Sequence, residues 1–451
     1  MQASNRSNFN FFDRSVLPWF ICSIGMLFYC YNYFLRVSPS VMQNDLMQSL
    51  HISASQFGNL AAFYYYAYTP MQIPVGMIYD RFGARLVLFF ACLMAISGLA
   101  VFIHSDNLAY ASAGRFLIGF GTAFAYIGVL KIASLWLAPN RFATVAGLTT
   151  AFGMASAIFS DNYLTKFVQE LGYRDSLYTT LAVGVVLSFV ILLFMRNKPK
   201  AGLLQSRLPA KPLTFPQLMK ALKVVLRNPQ MWLIGLIGCL FYLPASVFLD
   251  LWGIPYLKTV YHLTPVAAAH MVSMTFIGWI IAGPSIGALS DKIKLRRTPL
   301  IICAVMSAIL LSAVFYVPEI PIKVLYVIFF FIGIFCGAHP LCFALGKENS
   351  PNEISGTAVA VTNTLIMIGG VVFQPIVGKL LDWHASSSQM VNGALVYTSS
   401  DYTYALSVVP VGLIIAIVLT MFVKETHCVA HAAADDKNPT MQGSNVISFQ
   451  N

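Results

Sequence analysis

The sequence predicts an all-α membrane protein with twelve transmembrane helices in two pseudo-symmetric six-helix bundles. Three observations lead there. Of the 451 residues, 58% are hydrophobic and only 10% are charged, whereas soluble domains carry roughly 25% charged residues. So few charges cannot cover a water-soluble surface, and a soluble enzyme is excluded. Apolar runs long enough to cross a ~30 Å hydrocarbon core, about 20 residues each, recur along the whole chain. The second half of the chain also echoes the first. The formal net charge of +11 does not indicate a nucleic-acid partner, because the basic residues lie mainly in short loops between apolar runs.

The first six spans are expected at 17–37, 57–77, 86–103, 108–130, 142–165 and 176–195. The second six are expected at 230–252, 268–289, 299–317, 322–345, 355–381 and 403–423. The first run, from Pro18 to Val37, is too long and too aromatic for a cleaved signal and has no small-residue cleavage site after it. Between the sixth and seventh spans is a proline-rich polar stretch. Its second part, Phe215 to Arg227, has the pattern of a short amphipathic helix on the membrane surface. The organisation read from this is an N-terminal segment 1–15, a first bundle 16–196, a central loop 197–229, a second bundle 230–423 and a polar tail 424–451. Most cysteines fall inside apolar runs and behave as small hydrophobes. In the tail, His427, Cys428, His431, Asp435 and Asp436 are read as solvated residues, and no metal site is expected.

The basic residues orient the chain. With the N-terminus in the cytoplasm, the termini and the even-numbered loops hold most of the Lys and Arg, which is the positive-inside distribution. Both termini are therefore expected in the cytoplasm. The halves repeat at a nearly constant offset. Gly76-Met-Ile-Tyr-Asp80-Arg81 recurs as Gly287-Ala-Leu-Ser-Asp291-Lys292, Pro139-Asn140 as Pro351-Asn352, and Phe34-Leu35-Arg36 as Phe248-Leu249-Asp250. Each echo occupies the same loop or helix position, which argues for internal duplication. Repeated halves with a site at their interface are the plan of a secondary transporter.

Gly76-Met77-Ile78-Tyr79-Asp80-Arg81-Phe82-Gly83-Ala84-Arg85 resembles the major facilitator superfamily signature G-x-x-x-D-R-x-G-R-R/K, with Ala84 where Arg is usual. Arg115-Phe-Leu-Ile-Gly119-Phe-Gly121 resembles its second signature, R-x-x-x-G-x-G. The run from Phe34 to Met42, together with Gln72-Ile73-Pro74-Val75-Gly76, is similar to two subgroups. One comprises the phagosomal amino-acid transporters of intracellular bacteria and the related lysosomal dipeptide carriers. The other, more distant, is the anion:cation symporter family, from which the chain departs at Leu35 and Thr122. The resemblance implies the superfamily fold, alternating access, and a gating cluster formed by Gly76, Asp80, Arg81, Gly83 and Arg85. Arg141, Asp291 and Glu353 at equivalent positions are candidates to join it.

Charged side chains inside the membrane cost about 2.5–3.5 kcal/mol each at helix centre, so each needs a reason. Arg36 shares one face of its helix with Gly25, Tyr29, Asn32 and Tyr33. It is read either as a forked donor for a carboxylate or as an arginine snorkelling to headgroups. Arg115, Asp161, Asp250 and His339 are candidates for proton coupling or for intramembrane ion pairs, and sequence leaves the pairing open. Lys131 is read as a snorkelling lysine. Tyr65, Thr69, Gln72 and Gly76 form a stripe placed on the cavity, and Asn363 and Gln374 are further polar candidates on the eleventh span.

The function expected from these residues is proton-coupled uptake of a small carboxylate-bearing solute, such as an amino acid, short peptide or organic acid. Tyr29, Asn32 and Arg36 would hold the carboxylate. An exporter of siderophores, metabolites or drugs is the alternative, followed by a non-transporting receptor or scaffold. No G-x-x-x-x-G-K-S/T run occurs, so an ion gradient, with protons preferred, is the expected energy source and no cofactor is expected. No nucleophile–base pair assembles from the spans, so enzymatic activity is not expected. The expected partners are the solute and membrane lipid. The expected state is a monomer in a bacterial inner membrane.

Overall fold

An α-helix satisfies its own backbone hydrogen bonds without water, so a chain this apolar folds into helices wherever it crosses hydrocarbon. The computed structural model describes residues 16–197, 214–351, 354–385, 390–391 and 394–429. In the first half the spans are Leu17–Val41, Ala54–Met71 resumed as Val75–Phe82, Ala84–Ile103, Leu108–Trp136, Pro139–Phe159 continued to Thr165–Leu171, and Tyr173–Phe194. In the second half they are Pro229–Val260, Pro265–Ile293, Arg297–Tyr316, Ile322–Glu348, Ser355–His384 and Ser399–Thr420. Ten of these helices are long and apolar enough to cross a membrane by themselves. The other two, spans two and five, are more polar and interrupted.

The helices outrun the apolar runs that announced them. Span two starts at Ala54 because Ser53 and Gln56 close a capping box in front of it. Helix Phe215–Arg227 forms over the expected residues behind a Thr214–Gln217 box. Its Leu218, Ala221 and Val225 are buried, and the last two cluster with Met231 of span seven and with Ile354, Ala358 and Val361 at the start of span eleven. The helix therefore rests on the second bundle and not on lipid alone. Among the described residues the only strands are Met390–Val391 and Ala394–Leu395, an antiparallel pair between spans eleven and twelve.

Several spans lose regular α-geometry partway along their length. Span four stops at Thr122 and resumes at Ala125. Span seven passes from Pro229–Phe241 into a π-helix, Pro244–Trp252. Span ten breaks between Cys336 and Leu341, where Pro340 cannot donate to a helical ladder. Span five contains a π-turn, Ser160–Leu164. Such interruptions survive in a membrane only where protein or a cavity supplies hydrogen bonds, and π-turns often accompany functional sites.

Spans two and eleven carry the contact between the bundles. Gly58, Tyr65, Gln72 and Gly76 face Gly356, Asn363, Gly370, Gln374 and Gly378, at helical spacing on each side. Toward the side opposite the termini the two helices touch. A Cβ at Gly58 would lie 2.5 Å from the Gln374 carbonyl oxygen, one at Gly378 would overlap the Ala54 carbonyl, and Gly370 receives the Tyr65 ring. Midway, Asn363 Nδ2 donates to Gln72 Oε1 at 3.0 Å. Toward the termini the helices part, and at Gly76 and Gly356 no other described atom comes within 4 Å of a Cβ position. Gly147 of span five and Gly283 and Gly287 of span eight are equally open. Farther along, Asn162 Nδ2 of span five donates to Ser273 Oγ of span eight at 2.7 Å.

A carboxylate fastens the closed side. Asp382, at the end of span eleven, accepts from Ser53 Oγ at 2.6 Å and from the backbone N–H groups of Ala54 at 3.2 Å and Ser55 at 2.9 Å. It thereby caps the N-terminus of span two, where a negative charge meets unpaired N–H groups and the positive end of the helix dipole. Tyr397 Oη adds a hydrogen bond to the same carboxylate at 2.5 Å. The bundles are thus closed on the side opposite the termini and apart on the terminus side.

Gly58→Val should oppose that closure by overpacking, which costs about 1–3 kcal/mol. In a background otherwise without cysteine, Gly356→Cys is expected to react rapidly with a water-soluble maleimide, and adding Gly58→Val should slow that labelling roughly tenfold. Unchanged labelling would show that spans two and eleven do not set the state.

Candidate functional site

The site begins with Arg36, near the closed end of span one and only 4% exposed. A guanidinium so buried requires a counter-charge, and it comes from the other bundle. Nε and Nη2 of Arg36 donate to Asp250 Oδ2 of span seven at 2.8 and 2.6 Å. Nη2 also donates to Tyr242 Oη at 3.0 Å, and Tyr65 Oη of span two donates to the same Asp250 oxygen at 2.6 Å. Three rings flank the guanidinium: Tyr33 at 5.2 Å, Tyr65 at 5.1 Å and Tyr242 at 5.7 Å from their centroids. The result is one cation held in an aromatic sleeve and bonded to a carboxylate across the bundle interface. The pairing left open by the sequence is Arg36 with Asp250.

Arg115 takes a different place. Its Nη1 donates to the Leu35 carbonyl at 2.8 Å, Nη2 reaches the Arg36 carbonyl at 3.4 Å, and its guanidinium lies 5.2 Å from the Tyr64 ring centroid. It fastens span four to the backbone that carries Arg36. Gly119, one turn on, lets span four meet the Tyr64 backbone at a distance no Cβ would allow. Asn32 does not join Arg36. Its Oδ1 accepts from Tyr64 Oη at 2.5 Å. Tyr29 packs between Tyr33 and Tyr126, with ring centroids 5.3 and 5.2 Å away.

The other candidates separate into distinct surroundings. Asp161 is fully buried in the π-turn of span five, and neither carboxyl oxygen has a hydrogen-bond partner among the described residues. Thr69 Oγ1 is buried and likewise unpartnered, while Gln374 donates through Nε2 to the Ser246 carbonyl at 2.6 Å and leaves Oε1 unused. His339 lies in the break of span ten, 5.0 Å from the Tyr242 ring and 5.2 Å from Trp279 between centroids. Trp279 escaped notice in the sequence, where one tryptophan within an apolar run carries no signal of its own.

On the terminus side, the signature residues make contacts within each bundle. Asp80 pairs with Lys131, both about a quarter exposed, so Lys131 is an ion-pair partner and not a free snorkelling lysine. Arg81 lies over the Phe82 ring at 5.4 Å. Arg85 donates through Nη2 to the Leu192 carbonyl at 2.6 Å, and its N–H meets Asn197 Oδ1 at 2.8 Å. The second bundle repeats this arrangement. Arg297 Nη2 donates to the Met421 carbonyl at 2.7 Å, and the N–H groups of Arg296 and Arg297 meet the Glu425 carboxylate at 2.9 Å each. The chain turns with positive φ at Gly83 (78°) and at Lys294 (52°), so the second copy keeps the turn without the glycine. Asp291 pairs with Arg296 at 2.7 Å, and Arg296 also binds Glu348 at 2.7 Å. Arg141 is exposed, and Glu353 lies outside the described residues.

Comparison with known proteins places this geometry in context. The Major Facilitator Superfamily model matches residues 22–374. The probable galactarate/D-glucarate transporter GudP of Escherichia coli (strain K12) is 23% identical over 407 residues, covering 81% of this chain and 87% of its own length. The probable sulfoacetate transporter SauU of Cupriavidus necator is 22% identical over 398 residues, covering 83% and 90%. Among solved structures, a bacterial homolog of the human lysosomal transporter Spinster, in an inward-facing and occupied conformation, superposes with a TM-score of 0.69 at 15% identity. That match covers 91% of this chain and 97% of the other.

Removing one member of the Arg36–Asp250 pair strands a buried charge, a change that costs about 3–5 kcal/mol. Arg36→Met and Asp250→Leu alone should each lower the melting temperature in detergent sharply, and the double variant should recover most of the loss. Additive losses would mean that the two residues are not coupled. At Glu425 burial pushes the carboxyl upward, but the N–H groups of Arg297, Arg296, His427 and Thr426 outweigh it and hold it below the usual glutamate range. A depressed carboxyl stabilises above its unfolded pKa and loses that contribution as pH falls through the folded one. Hydrogen-exchange protection of residues 424–429 should therefore persist at neutral pH and disappear on acidification below that range, with no such step in Glu425→Gln.

Proposed function

Because the chain belongs to the Major Facilitator Superfamily, it is a multi-pass membrane protein and a secondary transporter of small solutes, not an enzyme, and we propose that it imports small organic acids together with protons. The observation that carries this reading is the carboxylate already bound to Arg36. One oxygen of Asp250 accepts from both Nε and Nη2 of the buried guanidinium, at 2.8 and 2.6 Å, on the edge that a solute carboxylate would use. A carboxylate solute reaching the site exchanges with Asp250. The displaced Asp250, no longer neutralised by Arg36, takes up a proton, with Tyr65 Oη positioned beside it. Solute charge and proton charge then cancel in the occupied site. Asp161, buried and without a hydrogen-bond partner among the described residues, is the second acid available to carry a proton.

Alternating access follows from the same contact. The Arg36–Asp250 bond and the Asp382 cap both join the bundles on the closed side, so both must open before the site faces that way. With the termini in the cytoplasm, as the loop charges favour, the state described is open inward. The cargoes named for two relatives, galactarate/D-glucarate and sulfoacetate, favour organic acids over peptides within the carboxylate class. The gradient supplies the energy, and the bundles rock about the site between them.

The test pairs binding with flux. A carboxylate that binds the native state raises its melting temperature by mass action, by about 2.7 kcal/mol of stability at a hundredfold excess over Kd. Organic acids are expected to stabilise the wild type and not Arg36→Ala. In proteoliposomes, an inward proton gradient should drive uptake of the same compound, and Asp250→Asn should bind it without gradient-driven accumulation. Stabilisation by a neutral sugar, an equal response from Arg36→Ala, or flux only in the outward direction would each defeat the reading.

A further inference from the structure

We infer that helix Phe215–Arg227 is a docking surface for anionic phospholipid, through which the charge of the bilayer holds the start of span eleven apart from span two. The helix carries three stripes at helical spacing. Leu218, Ala221 and Val225 are buried. Phe215, Met219 and Leu226 form a second stripe and are 64, 40 and 42% exposed, although large and apolar. Lys220, Lys223 and Arg227 form a third, also exposed. Around the helix the exposed apolar stripe lies between the buried face and the basic one, about a quarter turn from each. A helix lying in a membrane surface needs this order. Its apolar side chains reach the acyl boundary, while the lysines and arginines beside them meet headgroup phosphates.

The chain fixes the helix at the end of a span. Asn228 follows it immediately, and span seven starts at Pro229. Asn228 Nδ2 donates to the Asn349 carbonyl beyond the end of span ten at 2.9 Å, and its Oδ1 accepts from the Gln230 N–H at 3.0 Å. Trp232 of span seven, 52% exposed, donates through Nε1 to the Leu226 carbonyl at 2.8 Å. An exposed indole beside the apolar stripe suits the interfacial level of a bilayer. None of the ion pairs among the described residues uses Lys223 or Arg227. An acidic soluble protein would answer the basic stripe alone. An anionic lipid answers both stripes, the apolar one being continuous with a transmembrane span.

The buried face joins this surface to the contact between the bundles. Ala221 and Val225 cluster with Ile354, Ala358 and Val361, whereas Gly356 and Asn363 lie on the opposite side of span eleven, toward span two. The helix thus stands behind span eleven. Closing the terminus side must either part this cluster or pull the helix away from the headgroups, and lipid bound to the basic stripe opposes both.

The test uses the full-length protein in nanodiscs of phosphatidylcholine. In an otherwise cysteine-free background, Met219→Cys carries a bimane, and a small fraction of the lipid is spin-labelled near the headgroup, as either phosphatidylglycerol or phosphatidylcholine. Both should quench the bimane, phosphatidylglycerol at least twofold more. The excess should vanish in Lys223→Gln/Arg227→Gln, whose quenching by phosphatidylcholine stays unchanged if it is folded. High salt, which screens the headgroup charge, gives the same comparison without a variant. For Gly356→Cys, replacing part of the host with phosphatidylglycerol should speed maleimide labelling roughly threefold, and the double variant should abolish that gain. Equal quenching by the two lipids, or none by either, would overturn the inference. So would preferential quenching with a labelling rate indifferent to lipid charge.

Discussion

An arginine and an aspartate buried together, one from each bundle, set the terms for the rest of this molecule. Taking two charges out of water costs several kcal/mol per ion even after relaxation, so Arg36 and Asp250 are tolerable only while they face each other. Tyr242 and Tyr65 add hydrogen bonds, and three aromatic faces surround the guanidinium. A pair of this kind contributes little net stability compared with packed apolar side chains. What it provides is a polar contact that joins the two bundles. Arg115 sustains it indirectly, by fixing the backbone of residues 35 and 36.

The interface around that pair is close on one side and open on the other. Helices in a membrane gain little from hiding apolar surface from one another, since lipid is equally apolar, so association depends on close packing and on polar contacts. Spans two and eleven use both. Glycines allow backbone contact on the closed side, a Gln72–Asn363 hydrogen bond joins them midway, and the same stripes continue into open space on the other side. This also explains why spans two and five are less apolar than the rest. Tyr65 and Gln72 of span two and Asn162 of span five bond to the partner bundle, while Tyr64, Ser156 and Ser160 bond to span one, and a sequence made only to face lipid would have no use for them.

The internal repeat is more faithful in geometry than in sequence. The second bundle lacks the glycine of the first signature, and its charges are rearranged around Arg296, Asp291 and Glu348. Yet each bundle turns through positive φ at the same step and sends an arginine to the last turn of its final span. Each then caps the following helix with an oxygen from just beyond that span, Asn197 in one half and Glu425 in the other. In this state these clusters tie helices together within a bundle and not across the interface.

Composition and periodicity determined a good deal unaided. Hydrophobic run length fixed the spans, loop charge favoured one orientation, and repeated fragments gave two equivalent halves. The amphipathic pattern of Phe215–Arg227 and the stripe from Tyr65 to Gly76 also followed from helical spacing alone. These are local properties, because a helix displays its faces whatever lies opposite. Tertiary structure decided which face meets which. Nothing near Arg36 in sequence distinguishes Asp250 from Asp161 as its partner, nor Lys131 as the partner of Asp80, nor the tip of span two as the place for Asp382. Those pairings join helices far apart in the chain, and they exist because burying a charge or a helix end leaves a demand that only the neighbour brought there by packing can meet.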